Sequence, residues 1–422
     1  MELGGYDYLL MAIFCLGYLC ITFEHYTHVN KGNVALIMAV VSWSIAFLDQ
    51  RIPDPDKQEY LAYHFSNSSQ VIFFLLGALS IVEMVNVHQG FALITRYIRA
   101  TSYVSLLWVF GFFTFFLSAL LDNLTTTVVM LVILQRLVLE REIRWIIGSG
   151  IVIAANAGGA WSPIGDVTTT MLWIGGNITV LPLIQTLFLP SFVCCSLSLL
   201  GLQRLLPKET PTLLRQPDQA DTGRYGKLLF FLGAACLIAV PILKTALGLP
   251  PVMGVLFGLG LVWAVSDILH SDCYDSDYYR MPAVMGRIDL SGILFFLGIL
   301  LAVNALEVSG ILDHLAHFLQ TTIGHPPAIA VTIGFLSALI DNVPLVAGSI
   351  GMYDLTQFPP DDPFWQLIAY CAGTGGSLLI IGSVAGVAFM GLEKVPFPWY
   401  CRKITLPAML GYLGGIAVWW LL

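Results

Sequence analysis

The chain has 422 residues, of which 57% are hydrophobic and only 11% are charged, and its net charge is −8. A typical soluble domain carries about 25% charged residues. This composition excludes a basic nucleic-acid-binding protein and a disordered acidic chain, because disorder requires a low apolar content. A membrane-spanning helix needs about 20 apolar residues, and runs of that length recur from end to end. The predicted fold class is therefore an all-α polytopic membrane protein.

In chain order, the simple apolar runs lie at 8–23, 33–48, 69–86, 179–202, 228–247, 251–269, 290–308 and 404–422. Four others are too long for one straight crossing or are interrupted by glycine: 102–139, 145–177, 325–353 and 364–393. The first run is predicted to be retained, because a cleaved signal peptide needs a positive start and residues 1–8 contain no Lys or Arg. The eight cysteines form no Cys-x-x-Cys pair, so neither a disulfide framework nor a zinc site is predicted.

Basic residues predict which ends of the long runs face the cytoplasm. Arginines flank the run 102–139 on both sides, at Arg96, Arg99, Arg141 and Arg144. Both ends of this run are therefore predicted on one side, as in a re-entrant hairpin. No Lys or Arg occurs between Arg287 and Lys394, so both ends of 325–353 are predicted outside. One hairpin from each face is the arrangement expected when two halves have opposite topology.

A seven-residue pattern occurs twice, as LSALLDN at Leu117–Asn123 and LSALIDN at Leu336–Asn342, with an offset of 219 residues (341 − 122). Glycine pairs follow at a similar offset, Gly158-Gly159 and Gly375-Gly376. An odd number of crossings between the copies would make the repeats inverted. Chance similarity of leucine-rich segments is the alternative.

The predicted organisation has five parts: N-terminal spans at 1–68, a first repeat at 69–202, a cytoplasmic loop at 203–227, connecting spans at 228–289 and a second repeat at 290–422. The first repeat holds a hairpin at 102–139 and a broken helix at 145–177. The second repeat holds a hairpin at 325–353 and a broken helix at 364–393.

Each copy of the pattern places an Asp-Asn pair inside an apolar run, Asp122-Asn123 and Asp341-Asn342. A carboxylate at the centre of a bilayer costs about 2.5–3.5 kcal/mol, and such residues mark ion pathways by default. Asn side chains, the hydroxyl of Thr125 and backbone carbonyls add oxygen ligands. Oxygen-only coordination suits hard cations such as sodium.

Glycines and a proline interrupt the run 145–177 between Asn156 and Asp166. Unwound backbone inside a membrane is tolerated only beside protein or a water-filled cavity. Asp166 lies just past this break, whereas the equivalent stretch from Gly373 to Ser383 has no carboxylate. The first half is therefore predicted to hold most of the titrating cation site.

Each of these features also has a structural explanation. The glycines could be close-packing surfaces between helices. Asp122 could be a hairpin cap, although serine would cap without the cost of burying a charge. Asp341 could stabilise a turn ahead of Pro344.

The two tips with Asp122-Asn123 and Asp341-Asn342, together with the stretch WSPIGD at Trp161–Asp166, resemble the NhaD-type sodium/proton antiporters. That group belongs to the ion-transporter superfamily with arsenite pumps and dicarboxylate carriers. The resemblance covers about 70–420 and implies inverted repeats with two re-entrant hairpins and two unwound transmembrane helices around central cation sites. It also implies exchange of Na+ or Li+ for protons. The dicarboxylate carriers have Ser-Asn-Thr at the tips, whereas Asp leads each tip here.

Competition between a proton and a cation is the mechanism hypothesised. A carboxylate in low-dielectric surroundings favours its protonated form, whereas a cation with oxygen ligands already arranged favours the charged form. Asp122 and Asp166 are the predicted proton-exchanging residues, and Na+ is predicted at Asp122, Asn123 and Asp166. The remaining predicted cation- and proton-binding residues are Thr125, Asn156, Ser162, Thr169, Asp341, Asn342, Thr374 and Ser377.

Other functions remain open at this stage. An arsenite or dicarboxylate carrier of the same superfamily is the main alternative. An intramembrane aspartyl protease with two facing aspartates is a remote one. An ATP-driven pump would need a Gly-x-x-x-x-Gly-Lys-Ser/Thr loop, which the sequence lacks. The chain is predicted to be an integral protein of a bacterial plasma (inner) membrane and not an enzyme. It is predicted to have no cofactor besides its transported ions and no nucleic-acid partner. By analogy with carriers of this architecture, a homodimer is also expected.

Overall fold

The computed structural model describes residues 4–22, 29–49, 54–91, 93, 102–207, 225–270 and 276–422. Every regular element in these parts is helical. The helices of the first half are Gly5–Thr22, Lys31–Leu48, Asp54–Val87, Tyr103–Ser118, Asn123–Leu137, Arg141–Ala160, Val167–Ile174 and Val180–Leu202, followed by the 3-10 turn Gln203–Leu205. The central helices are Gly226–Leu247, Pro251–Leu269, Ser276–Tyr279, Met281–Met285, Leu290–Val308 and Ile311–Thr322. The last are Pro326–Leu336, Asn342–Met352, Pro363–Gly375, Val384–Glu393, Phe397–Lys403 and Thr405–Leu421.

Seven of the described helices are long and apolar enough to cross a membrane. Phe397–Lys403 and Thr405–Leu421, which meet at a bend of 54°, would add an eighth crossing. Several of these helices expose large apolar side chains, among them Ile37, Phe231 and Phe257. So many exposed apolar side chains suit a lipid environment rather than water. The prediction of an integral, polytopic membrane protein is confirmed.

The predicted apolar runs coincide with helices, with one clear extension. Asp54–Val87 contains 34 residues, whereas the apolar run was predicted only at 69–86. At about 1.5 Å per residue, such a helix is longer than the roughly 30 Å hydrocarbon core. Hydropathy marks only the apolar part of a helix, so a polar first portion that includes Lys57 was missed. Lys57 Nζ donates to the carbonyl of Phe47 at 3.0 Å.

The four long runs each form two helices with a break between them. We call Tyr103–Ser118 with Asn123–Leu137 the first helical pair, and Pro326–Leu336 with Asn342–Met352 the second helical pair. We call Arg141–Ala160 with Val167–Ile174 the first broken segment, and Pro363–Gly375 with Val384–Glu393 the second broken segment. The breaks carry the sequence motifs, so the residues of interest lie at helix ends.

Glycines let each broken segment approach a helical pair closely. A Cβ added at Gly158 would collide with the carbonyl of Phe115, and one added at Gly375 with the carbonyl of Gly334. The glycines therefore have the packing role that the sequence left open. The tips are tied as well, since the hydroxyls of Ser118 and Ser337 donate to the carbonyls of Ala155 and Ala372, each at 2.7 Å. Equivalent sequence positions thus make equivalent contacts in the two halves.

The two broken segments contact each other directly at one end, and the residues that flank their opposite ends are also joined. Arg144 Nε lies 3.1 and 3.0 Å from the two carboxylate oxygens of Glu393, and Trp145 Nε1 donates to the Glu393 carbonyl at 3.1 Å. Beyond the opposite ends, the backbone N–H and the hydroxyl of Thr179 donate to the carboxylate of Asp361, both at 2.6 Å. These contacts fix the ends of the segments whose breaks form the site.

Part of the predicted topology falls outside the described residues. Arg96 and Arg99, on which the orientation of 102–139 rests, lie there. So do residues 208–224 of the predicted cytoplasmic loop 203–227. The re-entrant orientation of the hairpins and the domain boundaries therefore stay predictions.

Candidate cation site

Asp166 is the carboxylate at the centre of a buried polar network. It follows the break of the first broken segment and caps Val167–Ile174, where its Oδ1 accepts from the backbone N–H of Thr168 at 3.1 Å. The residue is 2% exposed. Amide nitrogens reach Oδ2 from both helical pairs, Asn123 Nδ2 at 3.0 Å and Asn342 Nδ2 at 3.2 Å. When this carboxylate is ionised, each hydrogen bond to it is worth about 1.5–3 kcal/mol, so in that form it joins three elements strongly.

Asn156 extends the network to the other half of the chain. Its Oδ1 accepts from Asn123 Nδ2 at 3.0 Å. Its Nδ2 donates to the hydroxyls of Ser377 and Ser383, each at 2.9 Å. Asn156 is fully buried, and because its oxygen and both of its amide hydrogens are paired, its orientation is fixed.

Asp122 caps the second helix of the first helical pair. Its carboxylate accepts from the backbone N–H of Thr125 at 2.9 Å and from the Thr125 hydroxyl at 2.5 Å. The capping role weighed from the sequence is therefore present. Asp122 and Asp166 nevertheless line one cavity of about 20 Å³, and about 10–15 Å³ suffices for one water-sized sphere. The two predicted proton-exchanging carboxylates thus face the same small space.

Asp341 has a more structural environment in the second helical pair. Its carboxylate accepts from the backbone N–H of Val343 at 3.4 Å and so caps Asn342–Met352. Its own backbone N–H donates to the hydroxyl of Tyr18 at 3.1 Å. These contacts give Asp341 the turn-stabilising role that the sequence allowed, while its neighbour Asn342 reaches Asp166.

Three predicted hydroxyl ligands donate to backbone carbonyls near the breaks. Ser162 donates to Ala119 at 2.5 Å, Thr169 to Asp166 at 3.0 Å and Thr374 to Tyr370 at 2.6 Å. All three residues are buried. Donation occupies the hydroxyl hydrogen and leaves the oxygen lone pairs able to coordinate a cation. The hydrogen bonds of the network itself join Asn123, Asn156, Asp166, Asn342 and Ser377 from the predicted set.

Ser383 is a member of the network that the sequence prediction missed. It caps Val384–Glu393 by accepting from the backbone N–H of Gly386 at 3.2 Å, as Asp166 caps the equivalent helix 217 residues earlier (383 − 166). A serine between a glycine and an apolar run is a helix-start signal, so the repeat offset could have identified it. The two halves thus place a carboxylate and a hydroxyl at matching positions.

The side chains of the network carry amide, hydroxyl and carboxylate groups. In the parts of the chain that the structure describes, no three His, Cys, Asp or Glu side chains are grouped to hold a metal ion. The partners of Asp166 are neutral amides and a backbone N–H. Amide, hydroxyl and carboxylate oxygens suit hard cations rather than soft transition metals.

Comparison with known proteins places the chain among membrane transporters. Residues 18–373 match the model of the family described as citrate transporter. The chain is 48% identical to sodium/proton antiporter 1 of Arabidopsis thaliana, over 98% of this chain and 72% of that protein. It is 46% identical to sodium/proton antiporter 2 of the same plant, over 96% of this chain and 97% of that protein. It is 29% identical to the Na(+)/H(+) antiporter NhaD of Alkalimonas amylolytica, over 97% of this chain and 89% of that protein.

The matched family and the named relatives are membrane transporters, and broken apolar helices around buried polar side chains are compatible with that class. The family match covers most of the chain, and the plant and bacterial relatives align along nearly all of it. The chain belongs to the family described as citrate transporter, and within it to the NhaD-type ion transporters.

Proposed function

We propose that the protein is a secondary active transporter that exchanges Na+ or Li+ for H+ across a membrane. The observation that carries the proposal is the convergence of Asn123 and Asn342, one from each helical pair, on the buried carboxylate of Asp166. The names of the plant and bacterial relatives support the exchanged ions. Na+ and H+ are cargo, and the proposed mechanism uses no cofactor.

Competition for one carboxylate couples the two ions. When Asp166 is ionised, a dehydrated cation in the small cavity can be held by Asp166 and Asp122 together. Asn123 donates to both Asp166 and Asn156, so it keeps the ionised carboxylate in place. Asn342 donates to Asp166 alone within the network, and a half-turn of its amide would present an oxygen toward a cation bound at that carboxylate. When Asp166 is protonated, the attraction for the cation is lost. Proton and cation therefore occupy the site alternately.

The equivalent contacts of the two halves support an inverted-repeat architecture. In this proposal the two helical pairs are re-entrant hairpins, and the two broken segments are unwound transmembrane helices that meet at the site. The repeats occupy 69–202 and 290–422. Opposite topologies would let the same site face each side in turn.

Transport of an organic anion is the alternative, since the family is described by citrate. A citrate or dicarboxylate anion needs positive charge or many N–H donors to replace its hydration. The centre of this site is instead the carboxylate of Asp166, which would repel an anion. The arrangement therefore favours a cation over citrate or a dicarboxylate.

The same comparisons bear on the cellular membrane in which the protein lies. The bacterial relatives support the predicted plasma (inner) membrane. The plant relatives have the higher sequence identity, so the identity of the membrane stays a prediction. The homodimer also stays a prediction.

The test is transport by the purified protein in liposomes that contain a pH dye and have an acidic interior. Added Na+ or Li+ should raise the internal pH within seconds, while K+, citrate, succinate and arsenite should not. Citrate or arsenite uptake with no response to Na+ would replace the proposal with the anion-carrier alternative.

A further inference from the structure

Two histidines and a tyrosine form a compact ring cluster at the ends of two spans, outside the cation site. His88 follows Asp54–Val87, and His270 follows Pro251–Leu269. Their ring centres are 5.0 Å apart, and Tyr279 lies 4.7 Å from His88 and 4.3 Å from His270. His88 is 4% exposed and His270 is 7% exposed. Two imidazoles are thus held together in a largely dry environment.

Backbone hydrogen bonds fix the tautomer of both histidines. His88 Nδ1 lies 2.7 Å from the carbonyl of Met84, and His270 Nδ1 lies 2.9 Å from the carbonyl of Ser266. A carbonyl can only accept, so each Nδ1 carries the hydrogen. In the neutral ring each Nε2 is then a lone-pair nitrogen. A histidine that ligates a metal has this arrangement, with its other ring nitrogen donating to a carbonyl or carboxylate.

His88 Nε2 is buried and has no hydrogen-bond partner among the described residues. Leaving a buried polar atom unpaired costs about 1–3 kcal/mol. A proton on Nε2 does not resolve this, because an Nε2–H would also lack a hydrogen-bond partner among the described residues. A metal ion would pair the nitrogen without needing an acceptor.

The spacing of the two rings fits a shared ion. Zn–N bonds of about 2.0–2.1 Å in tetrahedral geometry place the centres of two bound imidazoles about 5 Å apart. An open cavity of about 360 Å³ adjoins His270 and gives an ion access, and its lining includes Asp267 and Arg280. Asp267 lies one helical turn before His270, so a carboxylate and a guanidinium both border the entrance to the site.

We propose that His88 and His270 form a binding site for a borderline divalent metal of the Zn2+ class. Nε2 of each histidine is a ligand, and water from the cavity completes the coordination. Imidazole nitrogen suits Zn2+, Ni2+ and Cu2+, whereas Mg2+ and Ca2+ prefer oxygen. Because the two ligands follow different spans, a bound ion would join Asp54–Val87 to Pro251–Leu269.

Binding of Zn2+ to tag-free protein in detergent, measured by calorimetry after chelator treatment, tests the proposal. We expect one Zn2+ per chain, with at least tenfold weaker binding in both His88→Gln and His270→Gln. His317→Gln, at an exposed histidine on Ile311–Thr322, is the matched control and should bind as the wild type does. Mg2+ should not compete.

A new absorption band in a cysteine variant would distinguish direct metal ligation by residue 270 from a role in ring packing alone. His270→Cys should still bind Co2+ and should add a near-ultraviolet thiolate-to-metal band that the wild type lacks. Na+/H+ exchange in metal-free buffer should match wild type in His88→Gln, so this proposal and the proposed function can fail separately. Wild-type protein that binds no Zn2+, or binding that persists in both Gln variants, overturns the site, as does a Co2+-bound His270→Cys with no new band.

Discussion

Removing the charge of Asp166 tests the candidate cation site most sharply. Asp166→Asn keeps the size of the side chain, and Asn caps a helix about as well as Asp does. The backbone N–H of Thr168, 3.1 Å from the carboxylate, therefore keeps an acceptor. What the variant loses is the negative charge, together with Oδ2, the oxygen that accepts from both Asn123 and Asn342.

The size of the effect follows from electrostatics. Two unit charges 4 Å apart attract by about 4 kcal/mol at an effective dielectric constant of 20. Every 1.4 kcal/mol is about a factor of ten in affinity. We therefore expect Na+ binding to weaken by roughly 10³-fold, and exchange at millimolar Na+ to disappear.

The assay is Na+-driven alkalinisation of liposomes that contain the pH dye, with protein amounts matched by gel filtration. Asp354→Asn is the matched control, since Asp354 is an exposed loop carboxylate that accepts from Thr356 and Gln357. The control should exchange at the wild-type rate. A folded Asp166→Asn protein with wild-type exchange would refute the reasoning about the site.

Three further predictions rest on other contacts. Asn123→Ala and Asn342→Ala should each raise the KM for Na+ by about 10- to 100-fold, because each removes one hydrogen-bonding partner of a charged group, and such a hydrogen bond is worth about 1.5–3 kcal/mol. An unchanged KM in both variants would count against a role for these two residues. Asp122→Asn should keep its helix cap but lower exchange at subsaturating Na+, and a Na+ titration that matches wild type would remove Asp122 from the site. Arg144→Ala should lower the midpoint of thermal unfolding, because it leaves the buried carboxylate of Glu393 unpaired and so reduces the free energy of unfolding by about 3–5 kcal/mol. Arg144→Lys should restore part of the lost midpoint in the same thermal unfolding assay.

The positions of the helices and of their breaks could be predicted from the sequence, because lipid restricts the spanning chain to long apolar helices. Glycine and proline then mark where such helices stop, as in the stretch Asn156–Asp166. The start of the helix at Asp54 could not be predicted in the same way, since a helix outside the lipid needs no apolar signal.

The sequence could suggest candidate residues for the site, but not the contacts between them. Burial cost identified Asp122 and Asp166 as unusual, and the repeat drew attention to Asn342. That Asn342 would reach Asp166 in the opposite half depends on tertiary packing between residues far apart in sequence. The bond of Ser383 to Asn156 could not be predicted for the same reason. Its capping role left a helix-start signal in the sequence, but serine carries no large burial penalty that would draw attention to it.

The dependence of Na+ affinity on pH tests the central claim of competition most directly. If a proton and Na+ occupy one carboxylate site alternately, the apparent KM for Na+ should rise toward tenfold for each unit of pH lost at acidic pH. The maximal rate at saturating Na+ should change far less. A KM that stays constant over the pH range in which exchange is active would contradict the account.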